Sequence, residues 1–80
     1  MNFTGSLISY ILYVYNSVEK AELFTLTAPP SSSPVVPRAG EYIVVNNHKF
    51  IVDNIGHTVD YHPGASGLKY TITVLVHPVA

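Results

Sequence analysis

Residues 40–52 read GEYIVVNNHKFIV, two short apolar runs separated by a polar turn. Apolar and polar side chains alternate on both sides of the turn at Asn46-Asn47-His48. Such alternation is typical of a β-hairpin, and asparagine suits the positive φ angles that a tight hairpin turn requires. The pattern continues through most of residues 37–78, so the sequence predicts a meander of antiparallel strands in this half of the chain.

The first half of the chain adds two strands to this meander. Residues 7–15 are apolar at nearly every position and rich in β-branched and aromatic side chains, which favours a strand over a helix. Both faces of this strand are apolar, so one face can serve the core and the other a partner. Residues 23–27 form a second strand. Residues 16–21 between them predict either a turn or a single helical turn, with Asn16 or Ser17 as its cap.

The later strands show where the chain bends. Val52 and Ile55 fall on opposite parities of the alternation, which predicts a β-bulge near Gly56. A loop follows over residues 62–67. In the last strand the side chains expected to point inward are Tyr70, Ile72, Val74 and Val76.

Together these segments predict an all-β fold. We expect one domain over residues 1–80, built as a small five-stranded antiparallel barrel or an SH3-like meander, since closure protects the strand edges. Residues 29–37 are rich in proline and serine and predict a loop. A loop of this length acts either as a connector between hairpins or as a cover for a ligand or partner.

The segment from Pro37 to Ile55 resembles a pattern of proline, glycine, acid, strand, turn and strand that recurs in SH3-like barrels. It is similar to segments of small phage and prophage accessory proteins. The resemblance implies a binding module rather than an enzyme, and it implies no catalytic residue.

Composition indicates an assembly. The chain is 48% hydrophobic and 11% charged, against about 25% charged residues in an average soluble domain. A domain of this size buries only about 60% of the surface of its unfolded chain. Since cysteine is absent, disulfides cannot reinforce it, and we expect a homo-oligomer. The lack of cysteine also fits a cytoplasmic protein, in the host cytoplasm if the protein is viral.

Charge and hydropathy disfavour two classes of partner. The four basic side chains are scattered and the net charge is -1, whereas nucleic-acid binding needs clustered basic residues. The longest apolar stretch is too short to cross a membrane as a helix. The first basic residue, Lys20, follows that stretch instead of preceding it, so no secretory signal is expected.

Catalytic and metal chemistry has little support in the sequence. His57, Asp60 and His62 lie within six positions, and imidazole and carboxylate are ligands for zinc. Their spacing matches no established metal motif, so we expect neither a metal nor a cofactor. No segment has the setting of an activated serine, and we expect no enzymatic activity.

Candidate binding residues are aromatic and polar. Six tyrosines occur in the chain, and tyrosine is enriched at interfaces. Tyr13 and Tyr15 are expected in a subunit interface or in a ligand pocket between subunits. The polar candidates are Arg38, His57, Asp60, His62 and Lys69.

Three functions follow as hypotheses. The first is a non-enzymatic homo-oligomeric module that docks to another protein. The second is a phage-type protein that sequesters a small polar molecule, such as a nucleotide signal, at subunit junctions. The third is a structural component of a virion. A convergent polar cluster would favour sequestration, and a continuous exposed apolar patch would favour docking.

Overall fold

The computed structural model describes residues 7–29, 31, 35–61 and 67–79. These residues form a single sheet with the strand order β2-β1-β5-β4-β3, curled into a half-barrel. The strands are β1 (Leu7–Asn16), β2 (Ala21–Ala28), β3 (Tyr42–Val45), β4 (His48–Tyr61) and β5 (Leu68–Pro78). The prediction of an all-β, five-stranded, barrel-like fold is confirmed. The described part of the chain has no helix that is long and apolar enough to cross a membrane.

The pairing of the strands departs from the prediction at one place. β1–β2, β3–β4 and β4–β5 are antiparallel hairpins, which confirms the meander in the second half of the chain. β1 and β5 pair in parallel, with Leu12 beside Ile72, where antiparallel pairing was expected. A parallel pair needs a long connection, which β2, β3 and β4 provide. β1 is therefore an interior strand of the sheet, between β2 and β5. Only its inner face is buried, and the outer-face residues Ile11, Tyr13 and Tyr15 are partly exposed.

The core lies on the concave face of the half-barrel, here called the inner face. Side chains alternate across a strand, so every second residue of β1 and β5 reaches this face. Its buried hydrophobic cluster comprises Leu12, Val14, Phe50, Val52, Ile72, Val74 and Val76. The inward register predicted for β5 is confirmed, since Ile72, Val74 and Val76 are all buried.

Asparagine residues form two of the turns, one through their backbone conformation and one through a side-chain cap. Asn46 and Asn47 have φ angles of 50° and 66°, as the hairpin prediction requires. Residues 17–20 form a turn rather than a helical turn. Its cap is Asn16, which is buried and accepts hydrogen bonds from the backbone N–H groups of Val18 (3.0 Å) and Glu19 (3.2 Å).

The predicted bulge exists but lies earlier than Gly56. The register of β4 against β5 shifts between Val52 and Asn54. The Asn54 side chain accepts the backbone N–H of Ile55 at 3.0 Å. Asparagine can bond the neighbouring backbone in this way, so Asn54 accommodates the irregularity without glycine.

One end of the sheet is wider than the other. The molecule measures 47 × 21 × 20 Å and its radius of gyration is 14.4 Å, against about 12 Å for a compact chain of this length. β3 pairs only with residues 48–51 of β4. We call residues 56–61 of β4 and 68–73 of β5 the arm, and the opposite end, which includes β3, the barrel end.

Candidate functional site

An apolar groove opens where the half-barrel fails to close. β2 and β3 are the two outermost strands of the sheet and are not paired with each other. Between them lies a cavity of about 440 Å³, which is within the range of roughly 300–1,000 Å³ typical of ligand sites. Its walls are formed by Leu12, Val14, Phe24, Leu26, Val35, Val36, Pro37, Glu41, Ile43, Val44 and Val45.

The connection from β2 to β3 contributes one wall of this groove. Val35, Val36 and Pro37 come from the proline-rich segment and line the cavity. Val36 also packs against the buried core, which holds the connection close to the sheet. The described part of the segment therefore lies beside the groove.

The rim of the groove exposes large apolar side chains. Leu26 is 56% exposed, Val44 is 58% exposed and Val35 is 91% exposed. A single exposed valine needs no explanation, but several along one apolar cavity are typical of a binding surface. The groove is thus a continuous apolar patch rather than a set of isolated residues.

The polar candidates from the sequence do not converge. His57 pairs across the sheet with Ile72 on the inner face, whereas Asp60 pairs with Lys69 on the opposite, outer face. Arg38 lies in the connection before β3, where its backbone N–H donates to a Glu41 carboxylate oxygen at 2.6 Å. His62 lies outside the described residues. No group of three potential metal ligands occurs among the residues that the structure describes.

The tyrosines form two clusters on different faces. On the outer face the rings of Tyr13 and Tyr15 stack at 6.0 Å, and both side chains are partly exposed. On the inner face the ring of Tyr70 lies 5.7 Å from that of Tyr10 and 5.8 Å from that of His57. A contact of Tyr13 and Tyr15 with a partner stays a prediction.

Sequence reasoning missed one polar pair and the groove itself. His77 Nδ1 lies 2.7 Å from Asp53 Oδ1 and 2.8 Å from Oδ2, on a largely accessible surface. The pair depends on the bulge at Asp53, which the sequence pattern placed later. The only local signal of the groove was Val35-Val36, two apolar residues within a proline-rich segment.

Comparison with known proteins assigns no family to the chain. It matches no protein-family model, no curated protein and no solved structure. The groove and the exposed strand edges are therefore the features from which a function can be inferred.

Proposed function

We propose that this protein is a non-enzymatic interaction module that binds an extended, apolar segment of another protein in the groove between β2 and β3. The observation that carries the proposal is an apolar cavity bounded by two outer strands of one sheet. We place the module in the cytoplasm, because a small domain without cysteine fits a reducing compartment.

The shape of the site favours a strand as its occupant. Within the described residues, neither β2 nor β3 pairs with a further strand on its outer edge. Such edges present backbone N–H and C=O groups that an incoming extended segment can pair with. Alternate side chains of that segment would then point into the cavity, where the walls are apolar.

The chemistry of the walls favours protein over a small polar molecule. Glu41 is the only charged residue among the described residues that line the groove, and its carboxylate already accepts the Arg38 N–H. None of Arg38, His57 and Lys69 lines the groove, so a nucleotide-like ligand there would lack a set of converging donors. Docking is therefore the function that the groove supports best.

Selection from a library of random linear peptides tests this proposal. The full chain is immobilised, and each selected peptide is measured against variants Leu26→Lys and Val44→Lys. Both positions are largely exposed, so these variants should fold normally while placing a charge at the apolar rim. We expect apolar peptides whose affinity falls at least about tenfold, equivalent to about 1.4 kcal/mol.

Val18→Lys is the matched control. Val18 is 66% exposed and lies in the β1–β2 turn, outside the groove, so this variant should bind like the wild type. A selection that enriches no peptide would overturn the proposal. Peptides that bind both groove variants as tightly as the wild type would overturn it as well.

A further inference from the structure

Besides the strand edges at the groove, the sheet has an open edge along part of β4. β3 covers β4 only at residues 48–51. Just beyond, Val52 donates its N–H to the Glu41 carbonyl and accepts the Gly40 N–H, each at 2.8 Å. In the part of the chain that the structure describes, no strand pairs with this edge from Asp53 onward.

Backbone alternation identifies the groups that this edge presents. Successive residues of a strand direct their N–H and C=O groups to opposite sides. Val76 accepts the Ser17 N–H at 2.9 Å and so faces β1; by alternation Thr73 and Thr71 face β4, where they pair with Gly56 and Thr58. The residues between these partners face the open edge, and the Ile55 N–H on this side is bound by the Asn54 side chain at 3.0 Å. His57 and Val59 follow at two-residue steps and present their N–H and C=O groups to the same side.

Among the residues that the structure describes, this edge lacks the usual protection against pairing. Natural sheets shield exposed edges with proline, lysine, bulges or a covering loop. Residues 56–60 are all exposed, contain neither proline nor lysine, and pair with β5 without a register shift. Asp60 is the one charged side chain in this stretch.

We propose that this edge pairs antiparallel with the same edge of a second copy of the chain, with Thr58 on the twofold axis. His57 of each copy then lies opposite Val59 of the other, and their backbone groups exchange hydrogen bonds. An antiparallel edge is self-complementary in this way because each opposed residue supplies one donor and one acceptor.

The position of the charge favours a second copy in this orientation. Parallel pairing in register would place the two Asp60 carboxylates side by side. In the antiparallel arrangement each Asp60 lies opposite Gly56 of the other copy, and the two carboxylates are separated by about 13 Å along the strands. That distance exceeds the Debye length of about 8 Å at physiological ionic strength, so their repulsion is largely screened.

This interface is independent of the proposed peptide site. None of the residues that line the groove lies on the edge from Asp53 to Tyr61. A dimer through the arm would leave both grooves free, and failure of either proposal leaves the other standing.

Charge-swap variants at Thr58 test the dimer. The Thr58 side chain points to the outer face, opposite Thr71, and two directly opposed residues on paired strands have Cβ atoms about 5 Å apart. Thr58→Glu or Thr58→Lys would therefore place like charges together across the axis. Sedimentation equilibrium should give a dimer for the wild type and a dissociation constant at least about tenfold higher for each variant.

Mixing the two variants tests the placement of the axis and guards against misfolding. The carboxylate of the Thr58→Glu chain would face the ammonium group of the Thr58→Lys chain across the axis. The mixture should therefore regain the wild-type affinity, and native mass spectrometry should show the mixed dimer. Thr27→Glu and Thr27→Lys are the matched controls, because Thr27 is an exposed strand residue of β2 away from this edge. These control variants should remain dimeric.

Three results would overturn the proposal. One is a wild-type chain that stays monomeric over the concentration range of the experiment. Another is a Thr58 variant that dimerises as tightly as the wild type. The third is a mixture of monomeric Thr58→Glu and Thr58→Lys variants that forms no mixed dimer.

Discussion

β4 and β5 run through both the barrel end and the arm, but the inner face of β4 is buried only at the barrel end. At the barrel end, Val52 and Val76 lie opposite each other and are 1% and 0% exposed. In the arm, Val59 lies opposite Tyr70 on the same inner face and is 43% exposed. Residues of β2, β3 and the β2–β3 connection pack against the cluster that contains the first pair, whereas no strand among the described residues lies beside the outer edge of β4 at the second.

This difference shows what sets stability and binding in a small β-domain. Strand sequence determines which face is apolar, but the neighbouring strands determine how much of that face leaves water. The barrel end supplies most of the buried core, and in the arm it is β4 that leaves backbone and apolar groups available to a partner. Four predictions test how the effect of a substitution depends on burial, and the first compares the two ends directly.

Truncation of a core side chain should have the largest effect. Phe50→Ala removes a ring that is 7% exposed at the barrel end, and such changes cost about 3–5 kcal/mol. Val59→Ala in the arm should cost about 1 kcal/mol or less, because that side chain is already partly in water. Urea denaturation of both variants measures the contrast, and equal losses of stability would contradict it.

Two asparagine side chains accept backbone N–H groups, and the buried one should contribute more to stability than the exposed one. Asn16 is buried and caps the turn after β1 through two hydrogen bonds, so Asn16→Ala should cost about 1–3 kcal/mol. Asn54 is exposed and makes one such bond, so Asn54→Ala should cost about 0.5 kcal/mol. Urea unfolding midpoints of the two variants measure this difference. A larger loss of stability for Asn54→Ala than for Asn16→Ala would contradict it.

A substitution at the hairpin tip can raise the stability of the protein as well as lower it. Asn47 has a φ of 66°, and the Asn-Gly pair is the favoured sequence of such a turn. Asn47→Gly should leave stability unchanged or raise it by a few tenths of a kcal/mol, whereas Asn47→Val should lower it by about 1 kcal/mol. Thermal unfolding ranks the two variants, and the reverse order would mean that the turn is built differently.

The pair of His77 and Asp53 should have the smallest effect. Both side chains are about 40% exposed, and exposed ion pairs contribute about 0.2–1 kcal/mol. A double-mutant cycle with Asp53→Asn and His77→Gln should give a coupling energy within that range. A coupling well above it would show that the bulge at Asp53 organises the barrel end more strongly than its exposure suggests.

Local features were predictable from the sequence. The asparagines at the hairpin tip, the cap at Asn16 and the inward register of β5 all depend on neighbouring residues. The bulge was anticipated because Val52 and Ile55 share a face despite their odd spacing, yet the pattern did not reveal which residue between them was extra. The Asn54 side chain bonds a backbone N–H at the irregularity, whereas the Asp53 carboxylate contacts His77.

Features that depend on distant residues were not predictable. The parallel pairing of β1 with β5 depends on the order of strands in the sheet, which alternation does not encode. The groove depends on which strands are outermost, for the same reason. His57 and Asp60 were grouped because they are close in sequence, but residues three apart on a strand point to opposite faces.

Hydrogen exchange along β4 tests the contrast between the two ends most directly. The Val52 N–H is bonded to Glu41 and should exchange slowly at every protein concentration. The N–H groups of His57 and Val59 should exchange rapidly in dilute solution and become protected as the protein is concentrated, because a second copy then pairs with them. Slow exchange of all three groups in dilute solution, or no dependence on concentration at His57 and Val59, would contradict an open arm that closes by self-association.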